Sequence, residues 1–261
     1  MKGILSYFFI GLLAFSFQSC NKKENDEKFN IFTVDQDIAL GRQLVDYLES
    51  DSSDVIILDP TKYSTAYSHV ERIRNRILNS GKVYYKDRFE WRVRIIQDDN
   101  TLNAFCAPGG YIYVYTGIIK YLDNEYELAG VMGHEIAHAD KRHSTSQMTK
   151  QYGISILLAA LGGDQSLIGT LAANLVLLKY SRNDEAQADQ YSVEYLCPTL
   201  YKADGAAQFF KKIGSSPVPE FLSTHPDPKN RVTDIENYAA QKNCQGTETL
   251  GQYAAFKASL P

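Results

Sequence analysis

Residues 133–143 read "GHEIAHADKRH" and contain His-Glu-x-x-His, a spacing that suits a bound metal. The chain has only five histidines, so two of them four apart carry information. On a helix that spacing puts His134 and His138 on one face. Two neutral imidazoles there supply adjacent corners of a zinc tetrahedron. Glu135 follows the first histidine directly, which sets a carboxylate beside the metal where it can take a proton from bound water. The competing reading is a helix that merely contains two histidines, and other parts of the chain have to decide.

A catalytic zinc takes a third protein ligand and keeps its fourth position open. The pattern HExxHxxGxxH fails, because Lys141 and Ser144 stand where Gly and His are required. His143 falls one residue early and reads as a solvated histidine at the helix end. The other source is a carboxylate on a later helix. "SRNDEAQAD", residues 181–189, offers Glu185, with Asp189 one turn further along the same face. A carboxylate at Asp189 can accept the second N–H of a ligand histidine and fix its orientation. Alone, these acids read as a solvated helix face; beside His-Glu-x-x-His they become candidates for ligation, with Glu194 next in line.

The elements that must hold these groups are mostly helical. Thr33 and Gln36 form a capping-box pattern, and Ile38, Leu40, Leu44, Val45 and Leu48 give a helical stripe, so a helix is predicted over 33–49. A second is predicted over 64–78, with Gly81 stopping it. Residues 89–96 and Tyr111–Tyr115 read as strands separated by a Pro-Gly-Gly turn. From Asn124 onward the pattern is helical, including a helix over about residues 228–242. Residues 154–178 are strongly apolar, but Gly162, Gly163 and Asp164 split them into halves shorter than the roughly 20 residues of a membrane span. A buried helical hairpin is the plain expectation, and a flap touching lipid or unfolded chains the alternative. Hydrophobic content of 44% and charge of 22% describe a globular protein. A net charge of −4 with no basic block excludes nucleic acid as a general partner.

The first 20 residues read as an export signal. Lys2 precedes an apolar run to Phe17, and "FQSC" ends at Cys20. A cysteine in that place resembles a bacterial lipoprotein signal, although Phe17 and Gln18 depart from its usual Leu and small residue. Cys20 is therefore expected to carry lipid, with an ordinary signal peptide as the alternative. Residues 21–32 form a polar tether, and 33–261 are expected to be one domain.

Four blocks occur in order: "NAFCAPGGYIYVYTGII", "LAGVMGHEIAHADKRH", "YSRNDEAQAD" and "STHPDPKNRV". Together they resemble the HtpX-like and CAAX-prenyl-protease-like zinc metallopeptidases, the family that includes the mitochondrial Oma-type protease, over roughly residues 35–241. The lack of several long spans resembles its periplasmic, lipoprotein-type bacterial branch, in the cell envelope. Cys106 stands where a Leu or similar residue is expected.

The resemblance implies an α+β, zincin-like (gluzincin) fold, mostly helical, with a small β-sheet whose edge strand borders the cleft. It implies one Zn(2+) per chain held by His134, His138 and Glu185, with Glu135 as general base. It also implies that Asp189 orients a ligand or donates a proton, and that His225, with Arg231 nearby, approaches the metal or the oxyanion. The expected reaction is hydrolysis of internal peptide bonds in unfolded or misassembled exported proteins. The substrate is expected to lie along the Tyr111–Tyr115 strand, touching Asn103, Gly109, Gly110, Tyr111, Ile112 and Tyr113. The competing class is a zinc-bound chaperone or assembly factor with a latent or structural site; an intact Glu135 argues against it.

In an oxidising compartment, three cysteines remain after Cys20. Cys197 follows the helix expected to carry Glu185, and Cys244 follows the helix over about 228–242. A Cys197–Cys244 bridge with Cys106 free is the expectation, because a bridge at Cys106 would obstruct the substrate strand. Three unpaired thiols are the alternative.

Overall fold

Helix α1 (Val34–Leu48) starts where Thr33 and Gln36 cap each other: the Thr33 amide donates to Gln36 Oε1 and the Gln36 amide to Thr33 Oγ1. Its buried face is Leu40, Leu44, Val45 and Leu48. The computed structural model describes residues 30–50, 53–214, 219–226, 230–247 and 252–261; the expected signal with Cys20, and the tether as far as Phe29, lie outside these residues.

Helix α2 (Ser64–Leu78) leads to strands β1 (Val93–Ile96), β2 (Ala104–Ala107) and β3 (Tyr111–Tyr115). There follow α3 (Thr116–Tyr121), α4 (Glu125–Asp140), α5 (His143–Tyr152), α6 (Ile154–Leu161), α7 (Gln165–Leu175) and α8 (Arg182–Leu196). The chain closes with α9 (Gly205–Ile213), α10 (Pro219–Thr224), α11 (Arg231–Gln241) and α12 (Tyr253–Ala258). The described part is mostly helical with one small sheet.

The sheet has the order β1-β3-β2, with β1 parallel and β2 antiparallel to β3. This corrects the expectation for Tyr111–Tyr115. That strand is central, so both its hydrogen-bonding edges are already used by β1 and β2, and a substrate strand cannot add to it. Ile112 and Val114 face the core with α4, while Tyr111, Tyr113 and Tyr115 face the one with α1 and α7. Helices cover both faces, which is why every β3 residue is buried. The Pro108–Gly110 turn needs its glycines: Gly109 has φ +82° and Gly110 φ +88°. It packs beneath α1, with Gly41 against the Pro108 carbonyl, and so is structural rather than a cleft lining.

The first strand is shorter than residues 89–96, because Trp91 takes φ 47° and breaks the extended run. The edge strand β2 was not foreseen at all; Ala-Phe-Cys-Ala is too short to show alternation. Its Asn103 carbonyl accepts from the Tyr115 amide, so the next pairs with β3 fall at Phe105 and Ala107. The main-chain groups of Ala104 and Cys106 therefore face outward. There the Ala104 amide bonds Asn103 Oδ1, and the Cys106 carbonyl accepts from Ser144 of α5.

Helix α4 is buried along all 16 residues. It crosses α9 at glycines: a Cβ on Gly130 would lie 2.0 Å from the Ala206 nitrogen, and one on Gly205 2.0 Å from the Tyr126 carbonyl. Any side chain there would push α4 off its neighbour.

The α6–α7 segment bends by 115°, and no single helix among the described residues is long and apolar enough to cross a membrane. Leu157, Ala160, Ile168, Leu171, Ala172 and Leu175 are buried, but Ile154 and Leu158 face outward. The hairpin is thus buried on one side only. Cys197 and Cys244 form a disulfide with Cα atoms 4.8 Å apart, tying the end of α8 to the chain after α11, and Cys106 is free and buried. Closing a loop of 47 residues stabilises by roughly 3–4 kcal/mol in the chain-entropy model.

Candidate metal centre

Helix α4 carries several buried polar side chains, and most have structural partners. Glu125 pairs with Arg72 and accepts from Tyr201, Glu127 accepts from the Asp123 amide, and Asp140 accepts from the Tyr85 amide and Tyr195. Glu135 differs: it is fully buried, and neither of its oxygens has a hydrogen-bond partner among the described residues. Native proteins leave few buried polar atoms unpaired, so such a carboxylate marks a site of chemistry or an absent ion.

Around it, donor atoms of His134, His138, Glu185 and His225 lie within 4.8 Å of one another, and all four residues are buried. His134 and His138 share the inner face of α4, with their Nε2 atoms 3.0 Å apart. Glu185 comes from α8, whose start is fixed by a capping box between Ser181 and Asp184. Its Oε2 lies 3.3 Å from His134 Nε2 and its Oε1 3.3 Å from His138 Nε2. His225 follows α10; its Nδ1 lies 3.1 Å from Glu185 Oε1 and its Nε2 3.6 Å from Glu135 Oε1. Three imidazoles, a carboxylate and an acid without a hydrogen-bond partner, all buried, fit a zinc ion by donor type, number and convergence.

Asp189 and Arg231 support this set. Asp189 Oδ1 lies 2.9 Å from His134 Nδ1, on the side of the ring away from the donor cluster. Arg231 spans both carboxylates: Nε and Nη2 donate to Asp189 at 2.7 and 2.8 Å, and Nη2 to Glu185 at 2.8 Å. Burial opposes charge on Glu185, yet the neighbouring His225 and hydrogen bonds from His134 and His138 hold its carboxyl well below the usual range. Burial pushes Glu135 up and His138 down, whereas Asp189 and Glu185 overcome burial at His134 and lift it to about 9.

His134, His138, Glu185, Glu135, Asp189 and His225 are therefore brought together, with Arg231 beside them. Other expectations need correction. Glu194 is turned away from the centre and pairs with Lys242 and Tyr238. His143 is not solvated but 1% exposed, because α5 begins only two residues after α4 and folds back against it. Tyr111, Ile112 and Tyr113 point into the two cores, with the Tyr113 hydroxyl donating to Glu49, while Gly109 lies under α1 and Gly110 packs against Phe89 and Trp91. Only Asn103, the residue before β2, reaches the outer edge, through its side-chain Oδ1, which accepts from the outward Ala104 amide. Tyr180 was missed: its ring stacks on His138 at 3.8 Å, and no motif spacing betrays an aromatic packed on a ligand.

A buried His-Glu-x-x-His helix, a glutamate from a second helix and an unpartnered acid between them are the parts of a metallopeptidase centre. The chain belongs to peptidase family M48, whose model matches residues 65–239. It is 28% identical over 247 residues to the beta-barrel assembly-enhancing protease of Yersinia pestis, covering 86% of this chain and 48% of that protein. It is 33% identical over 146 residues to the mitochondrial metalloendopeptidase OMA1 of Arabidopsis thaliana, covering 54% of this chain and 30% of that one. With the metalloprotease YcaL of Escherichia coli strain K12 it shares 24% identity over 203 residues, 74% of this chain and 76% of that one. The chain spans about half the length of the assembly-enhancing protease it matches.

Proposed function

We propose that the chain is a zinc-dependent metalloendopeptidase of the zincin-like, gluzincin type. Its substrates are unfolded or misassembled proteins of a bacterial cell envelope. The observation that carries this reading is the unpartnered Glu135 carboxylate beside a convergent donor set in an M48 domain. Relatives named for assembly of β-barrels support the envelope setting.

His134, His138 and Glu185 would hold one zinc. When bound, zinc lowers the pKa of water and polarises a carbonyl. Glu135 takes the proton of the attacking water and passes it to the leaving amine; burial raises its proton affinity. Asp189, clamped by Arg231, keeps His134 in the orientation that turns Nε2 inward. His225 stabilises or protonates the tetrahedral intermediate. The substrate adds as a strand to the outer edge of β2, from Asn103 to Ala107, and displaces the Ser144 hydroxyl from the Cys106 carbonyl. Main-chain pairing of this kind tolerates many sequences and selects extended, unfolded segments.

Each ligand is testable by itself. Alanine at His134, His138 or Glu185 should abolish stoichiometric zinc in the purified protein, read by elemental analysis. Full occupancy in Glu185→Ala would remove it from the ligand set. One observation favours a second reading, a latent or structural metal site in an assembly factor: His225 supplies a fourth donor, and a closed four-ligand shell is that of a structural zinc.

The protein is further proposed to be anchored to a membrane through lipid on Cys20. Incorporation of labelled fatty acid in a bacterial host, lost in Cys20→Ser, is the expected result. An unlabelled wild type would leave an ordinary export signal.

A further inference from the structure

His138 has two ring nitrogens, and only one can face the metal. Its Nε2 points into the donor cluster, 3.0 Å from His134 Nε2 and 3.3 Å from Glu185 Oε1. Its Nδ1 points the other way and lies 2.9 Å from Nδ1 of His143. Two imidazole nitrogens at that distance need one proton between them. If Nε2 is to offer a lone pair to a cation, the proton must sit on His138 Nδ1, and His143 Nδ1 must be bare.

The rest of the pocket agrees with that assignment. A neutral His143 with a bare Nδ1 carries its proton on Nε2, and Nε2 lies 2.7 Å from Gln187 Oε1, an acceptor. Asp184 Oδ1 stands 3.7 Å from the same nitrogen. Protons therefore point one way along the chain, from His138 to His143 and from His143 to Gln187. Gln187 sits on α8 two residues after Glu185, so one helix supplies the third ligand and anchors the relay to the second. Both histidines are buried, and Tyr180 stacked on His138 at 3.8 Å holds the plane of its ring. Arg142 adopts φ 57° between α4 and α5 and is tied to Asp37 and the Phe32 carbonyl, which fixes where α5 begins.

We propose that His143 is a positioning residue for the metal: it accepts the Nδ1–H of His138 and holds that ligand in the tautomer that frees Nε2. The two α4 ligands are then oriented differently, His134 by the Asp189 carboxylate and His138 by a neutral imidazole. The inference rests on the zinc reading above and deepens it.

The test uses the full chain and two substitutions. The Asn Oδ1 occupies nearly the place of His Nδ1 and can accept the same hydrogen bond, whereas Leu cannot. Zinc affinity is measured by competition with a chromophoric chelator, and ligand geometry by the visible absorption of the cobalt-substituted protein. His143→Leu should weaken zinc binding by about 10–100-fold and alter the cobalt spectrum, as loss of a ligand's orienting partner does elsewhere. His143→Asn should restore both to near wild type. Equal losses in the two variants would mean that His143 only fills space. Unchanged affinity in His143→Leu would overturn the proposal while leaving the ligand set intact. A wild type that binds no zinc would overturn both.

Discussion

Replacing Glu135 by Gln should lower peptide hydrolysis by roughly 10²–10⁴-fold while zinc content stays at the wild-type level. Gln keeps the volume and the planar head of Glu but cannot take a proton at neutral pH. No hydrogen bond is lost, because neither Glu135 oxygen has a hydrogen-bond partner among the described residues, and its contact with His225 at 3.6 Å is longer than a hydrogen bond. Stability should not fall for the same reason: exchanging a buried, unpaired acid for a neutral amide removes a desolvation cost. Turnover of an unfolded substrate, zinc analysis and thermal unfolding on one preparation check all three statements. A variant that cleaves within twofold of wild type would end the general-base assignment.

Arg231→Leu should destabilise the metal-free protein by about 3–5 kcal/mol, because it strands two buried carboxylates. Arg231 is 2% exposed, and its guanidinium lies 3.8 Å from the Phe210 ring centre while bonding Asp189 twice and Glu185 once. Arg231→Lys should recover only part of the loss, since an ammonium cannot reproduce the two-pronged contact. Zinc should narrow the deficit by neutralising Glu185. Urea unfolding with and without zinc measures both effects. A loss below about 1 kcal/mol would show that the ion network is not held as described.

The sequence made the chemistry more legible than the architecture around it. His134, Glu135 and His138 are local: one helix, one turn, one face. Glu185 and Asp189 were legible as candidates because the same periodicity applies to a second helix and a catalytic zinc wants a third ligand, while their assignment came from the resemblance. His225 and Arg231 lie in a loop and at a helix start with no periodicity, so nothing in the residues alone assigned them. Strand order escaped altogether. Alternation in Tyr111–Tyr115 says that both faces meet partners, but it cannot say that β1 arrives on one edge and β2 on the other. His143 was misread because polarity at a helix end usually means solvent. Here a two-residue link turns α5 back onto α4, and the imidazole is buried against His138.

Whether the centre works or is latent is decided most directly by cleavage of unfolded casein by purified protein, before and after zinc is stripped with a chelator and then restored. Protein holding one zinc per chain should cleave casein, the stripped protein should not, and adding zinc should restore cleavage. Cleavage that persists in zinc-free protein, or a fully zinc-loaded protein that never cleaves, would contradict the zinc peptidase assignment.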